Sequence, residues 1–296
     1  RALGIDAYIA LDENRNFAGA AVDMLRADGW DGKIIDVNEA LALMTRKTLL
    51  VVVDTHKSSF VDFPTLYEKA SATVVIDHHR KSVDHIKDAL IFFHDPNASS
   101  TCEMVTELMR YITPAPTLSP VEAQAMLAGI MLDTKEFVLS TGVRTFEAAA
   151  FLKGKGADTV AVKRLFSNSI ESNRKRSEII SAAHIYRGCA IACTAPGTEN
   201  ARLLSAQAAD ELLEVSGVKA SFVIFDSGND SVNISARSYG DLNVQIIMEY
   251  LGGGGHRTMA AAQLTGVNME EAKSKLCEAI DAKYPRTDDE EPTPIS

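Results

Sequence analysis

Asp77, His78 and His79 follow one another directly behind the β-branched run Thr73-Val74-Val75-Ile76, with Arg80 next in line. A carboxylate and two imidazoles at one spot can bind a divalent cation, move a proton or orient each other. Asp54 closes a second apolar run, 48–56, two residues before His56, and Asp133 closes an apolar helical stretch, 120–132. A carboxylate at the end of a buried element is costly unless it is paired or binds a cation. One such residue is an ordinary cap. Three of them, with His78 and His79, suit manganese, iron or zinc, and the lack of a thiolate among them argues against structural zinc.

Farther along, Gly252-Gly253-Gly254-Gly255-His256-Arg257 follows a helical pattern. Consecutive glycine N–H groups can cradle an anion, and His256 and Arg257 add donors; a plain helix cap with a flexible loop is the competing explanation. Arg237, on the preceding strand, is a candidate for a bidentate grip on phosphate, although an ordinary surface arginine is the simpler explanation taken alone.

These residues need a scaffold that brings strand ends together. In the first half, short apolar strands (5–11, 33–37, 48–56, 73–79, 90–96) alternate with helical patterns (17–28, 39–46, 100–111, 120–132, 144–155). That alternation predicts an α/β fold with a mostly parallel, doubly wound sheet, whose ligands bind at the carboxyl ends of the strands. Ser99 or Ser100 is the expected cap of the helix over 100–111, with Glu103 in its first turn. The stretch 159–184 reads as one solvated connecting helix between a first domain, 1–158, and a smaller mixed α/β domain, 185–284. In that second domain, 185–194, 220–228 and 231–238 read as strands, the last two joined as an antiparallel hairpin, and 203–216, 241–251 and 270–282 as helices. The acidic, proline-bearing tail, 285–296, is expected to be disordered.

A net charge of −10 makes duplex nucleic acid a poor ligand, since duplex binding relies on Lys and Arg neutralising phosphates. Four scattered cysteines without CxxC spacing suit a reducing, cytoplasmic compartment. No apolar run approaches the ~20 residues that span a bilayer. The apolar helical face around 105–109 is a possible homodimer contact, core packing being the ordinary explanation.

Asp54-Thr55-His56, Asp77-His78-His79, Leu132-Asp133-Thr134 and Gly253-Gly254-Gly255-His256 together resemble the DHH phosphoesterase superfamily with its DHH-associated C-terminal domain, in the family's order. The runs 93–109 and 252–263 resemble the membrane-anchored branch that hydrolyses cyclic di-AMP. The resemblance implies two divalent cations, manganese first, held by Asp54, His78 and Asp133. It implies that Asp77 orients a neighbouring imidazole, that His79 faces the phosphate or supports the site, and that Arg237, Gly253, Gly254, Gly255 and His256 hold the nucleotide. It further implies a small cyclic dinucleotide or short oligonucleotide as substrate, a bridging hydroxide as nucleophile and linear pApA as first product. A nanoRNase or 3′-phosphoadenosine phosphate phosphatase, and a nucleotide-binding module without catalysis, are the rival expectations. The family's His-x-x-x-Asp-x-Asp run is expected just upstream of Arg1, so the chain reads as a truncated catalytic region of a membrane-anchored parent.

Overall fold

The computed structural model describes residues 4–12, 18–112, 116–167, 169–228 and 230–285. The chain divides into two compact units, Arg1–Ser167 and Asn168–Ser296. No helix among the described residues is long and apolar enough to cross a membrane.

In the first unit, β1 (Ile9–Ala10), α1 (Gly19–Leu25), β2 (Ile34–Ile35), α2 (Val37–Leu43), β3 (Leu49–Val53), α3 (Pro64–Lys69), β4 (Ala72–Asp77) and β5 (Ile91–His94) lead into the helices α4 (Thr101–Ile112), α5 (Pro120–Asp133), α6 (Val143–Gly154) and α7 (Thr159–Leu165). β3, β4 and β5 form a parallel sheet with β4 in the middle, and β1 and β2 form a separate parallel pair. The expected strand over 33–37 stops early because Asp36 caps α2. Its carboxylate accepts from the N–H groups of Asn38 and Glu39, and Glu39 reaches back to the Asp36 N–H, a reciprocal arrangement that favours helix over further strand.

β4 is buried on both faces, as its continuous apolar run requires. Ile76 and Val74 pack with Ala98 and Met104 of the α4 side, whereas Val75 packs with Val52 and Ile86 on the other. Val105 and Leu108 join the α4-side cluster, so core packing accounts for the apolar face around 105–109. Helices α4 and α5 approach closely: a Cβ on Gly129 would lie 2.4 Å from Cys102 Sγ. This contact lies next to Thr101 and one turn before Asp133, and it fixes the start of α4 against the end of α5.

The stretch 159–184 is not one helix. Asp158 caps α7 and Ser169 caps a new helix, α8 (Ile170–Ser181), each through its side chain. The two helices fall in different units, which divide between Ser167 and Asn168.

The second unit continues with β6 (His184–Tyr186), β7 (Cys189–Cys193), α9 (Ala201–Leu212), β8 (Ala220–Gly228), β9 (Ser231–Ser238), α10 (Val244–Tyr250), β10 (Gly254–Gly255), β11 (Met259–Thr265) and α11 (Met269–Lys283). Its mixed sheet runs β10-β11-β9-β8-β7-β6, with only β7 and β8 parallel. The single strand expected over 185–194 is a hairpin. Arg187 (φ 52°) and Gly188 (φ 72°) turn the chain between β6 and β7, as a right-twisted two-residue link requires. β11 was absent from the strand expectations, because Met259-Ala260-Ala261-Ala262 carries little β propensity. Its partner β9 supplies the order, through a register from Met259 opposite Arg237 to Thr265 opposite Ser231. Phe222, Ile224, Ile234 and Ala236 pack on α10 and α11, and Ala190, Ala192 and Val223 on α8 and α9. The tail expected to be disordered lies, from 286 on, outside the described residues.

Candidate metal centre

Asp54 stands immediately behind β3 in a left-handed conformation, φ 62°, which costs a non-glycine residue about 1–3 kcal/mol. Two hydrogen bonds hold it there. Its N–H extends the ladder to the Ile76 carbonyl at 3.0 Å, and Thr101 Oγ1, the first residue of α4, donates to Asp54 Oδ1 at 2.9 Å. The side chain is thus turned to the carboxyl end of the sheet, where it is half exposed.

His78, one residue past β4, meets it. His78 Nδ1 lies 3.2 Å from the Ala98 carbonyl oxygen, which can only accept. The proton is therefore on Nδ1, and Nε2 presents a lone pair. That Nε2 lies 3.5 Å from Asp54 Oδ1 and 3.6 Å from Asp133 Oδ2. Donor atoms held ~2.0–2.2 Å from one ion, as carboxylates and imidazoles are, stand roughly 3–3.5 Å apart, so this donor set fits a divalent cation. A second group, His56, Asp77 and His94, is comparably close. It does not fit, because both ring nitrogens of His56 are already engaged.

Asp133 carries the electrostatic signature of the same place. Burial at the end of α5, and then the neighbouring Asp54 carboxylate, push its carboxyl up from 3.8 to about 6. The folded chain thus holds this proton more tightly than the unfolded chain does. The group's stabilising contribution is full below about pH 4 and is lost as pH rises through about 6. A divalent cation held by the same carboxylates would replace the proton as counter-charge. Added Mn2+ is expected to raise the Tm at about pH 7.5, with the gain shrinking below about pH 6 as protons compete. Scanning fluorimetry with and without Mn2+ checks this, and an equal gain at about pH 5 would contradict it.

Asp77 does not reach solvent. One oxygen faces the buried ring of His56; the other accepts from His79 Nδ1–H at 2.8 Å and the His79 backbone N–H at 3.3 Å. Burial would raise this carboxyl, but the hydrogen bonds from His79 and His56 outweigh it and hold Asp77 below the usual carboxylate range. Conversely, the bond to Asp77 raises His79. His79 is half exposed, its ring 4.6 Å from that of His78, and ligand atoms of Asp54, His78 and His79 all lie within 4.8 Å of one another. Asp77 therefore acts on its neighbours, while His79 faces outward beside Asp54 and His78.

Beyond Asp133 the chain makes a left-handed turn that sequence patterning does not disclose. Lys135, Glu136 and Phe137 have φ of 48°, 57° and 69°. Buried Thr134 staples it: Oγ1 donates to the Ile130 carbonyl at 2.7 Å and accepts from Phe137 N–H at 2.9 Å. Arg144 ties neighbouring elements together, donating to Asp95 at 2.7 Å and to both oxygens of Glu107 at 2.7 and 2.6 Å. The residues overlooked in the sequence are His56, Thr101 and the Ala98 carbonyl. Only His56 left a trace there, as the third residue of Asp54-Thr55-His56.

In the second unit the glycine run has three separate explanations. Gly252 (φ 79°) ends α10. Gly253 and Gly255 press on β11, where an added Cβ would lie 2.2 Å from the Ala261 carbonyl oxygen and 2.4 Å from Ala260 Cα, respectively. Gly254 alone of the last three has open space where a Cβ would stand. The expected nest is thus partly a strand, since Gly254 and Gly255 pair with Ala261 and Ala260 and the His256 N–H donates to the Met259 carbonyl at 2.7 Å. The His256 side chain is exposed. Arg237 is not a free surface arginine: Nε donates to Asp210 at 3.2 Å and Nη1 to Ser235 at 3.2 Å, leaving 12% of the side chain exposed. Arg257 donates twice to the Gly240 carbonyl, at 3.1 and 2.9 Å.

Residues 6–130 match the DHH family, N-terminal domain, and residues 190–284 match the DHHA1 domain. The chain belongs to the DHH family. Among curated relatives it is 47% identical over 280 residues to the cyclic-di-AMP phosphodiesterase GdpP of Geobacillus thermodenitrificans, covering 93% of this chain and 42% of that protein. It is 43% identical over 287 residues to the GdpP of Bacillus subtilis, covering 94% and 43%. The DHH-family chain thus spans less than half the length of these relatives. An exopolyphosphatase-related protein from Bacteroides fragilis has the same fold, with a TM-score of 0.73 at 20% identity over 89% of this chain and 81% of that one.

Proposed function

We propose that this DHH-family chain is the catalytic region of a divalent-cation-dependent phosphodiesterase that hydrolyses cyclic di-AMP to linear pApA. The observation that carries the proposal is the meeting of Asp54, His78 and Asp133, from three separate elements, around one imidazole nitrogen whose partner nitrogen is tied to the Ala98 carbonyl. The GdpP relatives supply the substrate.

Asp54, His78 and Asp133 would hold the cations, with manganese the proposed metal. Bound there, such ions supply Lewis acidity toward a phosphoryl oxygen and a water of lowered pKa. His79, whose pKa the bond to Asp77 raises, is proposed to face the non-bridging oxygens and the departing ribose 3′-oxygen. The P–O3′ bond would break, the water oxygen would become the new phosphate oxygen, and the 3′-oxygen would take up the proton that the water gives up. In the second unit, the open position at Gly254 and the exposed His256 are proposed to receive the nucleotide. Arg237 would act from its ion pair with Asp210 and not as a free grip.

The test is turnover in the protein's natural sequence context, with Mn2+, on cyclic di-AMP, pApA and 3′-phosphoadenosine 5′-phosphate side by side. Fastest turnover of cyclic di-AMP, with pApA as first product, is expected. A preference for pApA or for the bisphosphate would reassign the substrate, and no Mn2+-dependent turnover of any of them would remove the proposal.

A further inference from the structure

We propose that His56 is a positioning residue of the reaction, acting through Asp77 on His79; the inference rests on the phosphodiesterase reading above.

His56 is 2% exposed and Asp77 fully buried. The imidazole Nε2 accepts the Ser82 backbone N–H at 3.0 Å. A ring nitrogen that accepts carries no proton, so in the neutral ring the proton is on Nδ1 and points at Asp77 Oδ2. The tautomer is set by the backbone of the segment that follows the Asp-His-His run. With Oδ2 committed, Asp77 presents Oδ1 to His79, where it accepts from both Nδ1–H and the main-chain N–H. His79 Nε2 is then the ring atom left for the open face, beside Asp54 and His78. His94 supports the arrangement from behind: its Nε2 lies 2.5 Å from the His79 carbonyl oxygen, and its ring meets that of His56 edge-on at 5.6 Å.

Without His56, Asp77 would lose the partner of its Oδ2. A buried carboxylate with an unpaired oxygen seeks another donor. Within reach are His79 and the main chain beside it, so the carboxylate rotates and carries the His79 ring with it. Asp54, Asp133 and the His78–Ala98 bond are not part of this chain of contacts. His56 also accepts the Ile86 N–H on its own carbonyl at 2.8 Å, which any residue there can do; the imidazole is needed for the two side-chain bonds.

His56→Asn and His56→Gln separate those two bonds. The Asn amide N–H falls near Nδ1 and keeps a donor for Asp77, whereas the Gln carbonyl falls near Nε2 and keeps an acceptor for Ser82. Expected for His56→Gln is a kcat lower by about 10–100-fold with KM within about threefold, and for His56→Asn recovery to within about fivefold of the parent. Mn2+ affinity by calorimetry is expected to stay within about threefold in both. Equal loss of kcat in the two variants, in step with loss of Tm, would reduce His56 to a packing residue and overturn the proposal.

A readout without turnover keeps the two proposals distinct. In 15N-histidine spectra of the parent at alkaline pH, His56 and His79 are both expected to carry the proton on Nδ1. A His56 protonated on Nε2 overturns the inference even if the variants do not fold. A parent without turnover, but with both tautomers as stated, counts against the phosphodiesterase reading alone.

Discussion

Asp54→Ala is expected to lower turnover by about a thousandfold and to abolish Mn2+ binding in calorimetry. Residues that only support a metal ligand typically cost about 10–100-fold when removed, and Asp54 faces the site itself, with Oδ1 3.5 Å from His78 Nε2. Asp54 also contributes to the raised carboxyl at Asp133, so its removal leaves Asp133 easier to ionise but without a second carboxylate to share a cation. Thr101→Ala provides the graded comparison. It removes only the 2.9 Å bond that holds the Asp54 carboxylate, and about a tenfold loss is expected, in the outer-partner range. Asp54→Ala protein that turns over like the parent would remove the metal-centre reading entirely. Equal losses in both variants would place the effect in the left-handed backbone at Asp54 and not in its carboxylate.

Gly253→Ala and Gly255→Ala are expected to destabilise the second unit by about 3 kcal/mol or more each, at the upper end of overpacking costs, because the new methyl meets backbone and not a movable side chain. At Gly253 the clash is with the Ala261 carbonyl at 2.2 Å, and at Gly255 with Ala260 Cα at 2.4 Å, on top of a φ of 147°. Gly254→Ala has nothing within 4 Å to meet. Its stability is expected to change by no more than about 0.5 kcal/mol, the usual range for surface substitutions, while KM for the dinucleotide rises. Thermal denaturation of the three variants, with KM for the third, checks both halves. A Gly254→Ala variant with unchanged KM would leave the glycine run with a packing role alone.

Much of this was legible in the residues themselves. The strand behind Asp77 is visible because four consecutive β-branched residues suit a sheet buried on both faces. The end of α5 at Asp133 is visible because an apolar helical run stops there. The hairpin at Arg187-Gly188 was not, since an arginine in a left-handed turn leaves no compositional mark. Nor was β11, whose alanines become strand only through their register with β9. The same limit applied to the connecting stretch, where charge periodicity runs across the caps at Asp158 and Ser169 without a break.

Arg237 shows the limit at a single side chain. Its place beside a glycine-rich run suggested a phosphate grip, but α9 packs over the sheet and brings Asp210 to it. His56 shows the reverse, a residue with no assigned role that holds Asp77 from the side away from solvent.

By itself the sequence determined which side chains end the buried elements, and hence that Asp54, Asp77, His78 and Asp133 would gather at strand and helix termini, because burial of the apolar runs leaves their polar ends nowhere else to go. Only the tertiary structure decided which of them face each other. Distances between residues far apart in the chain depend on how α4 and α5 pack at Gly129, on the tautomers imposed by Ala98 and Ser82, and on a carboxylate shared by His56 and His79. None of those contacts is encoded in local spacing.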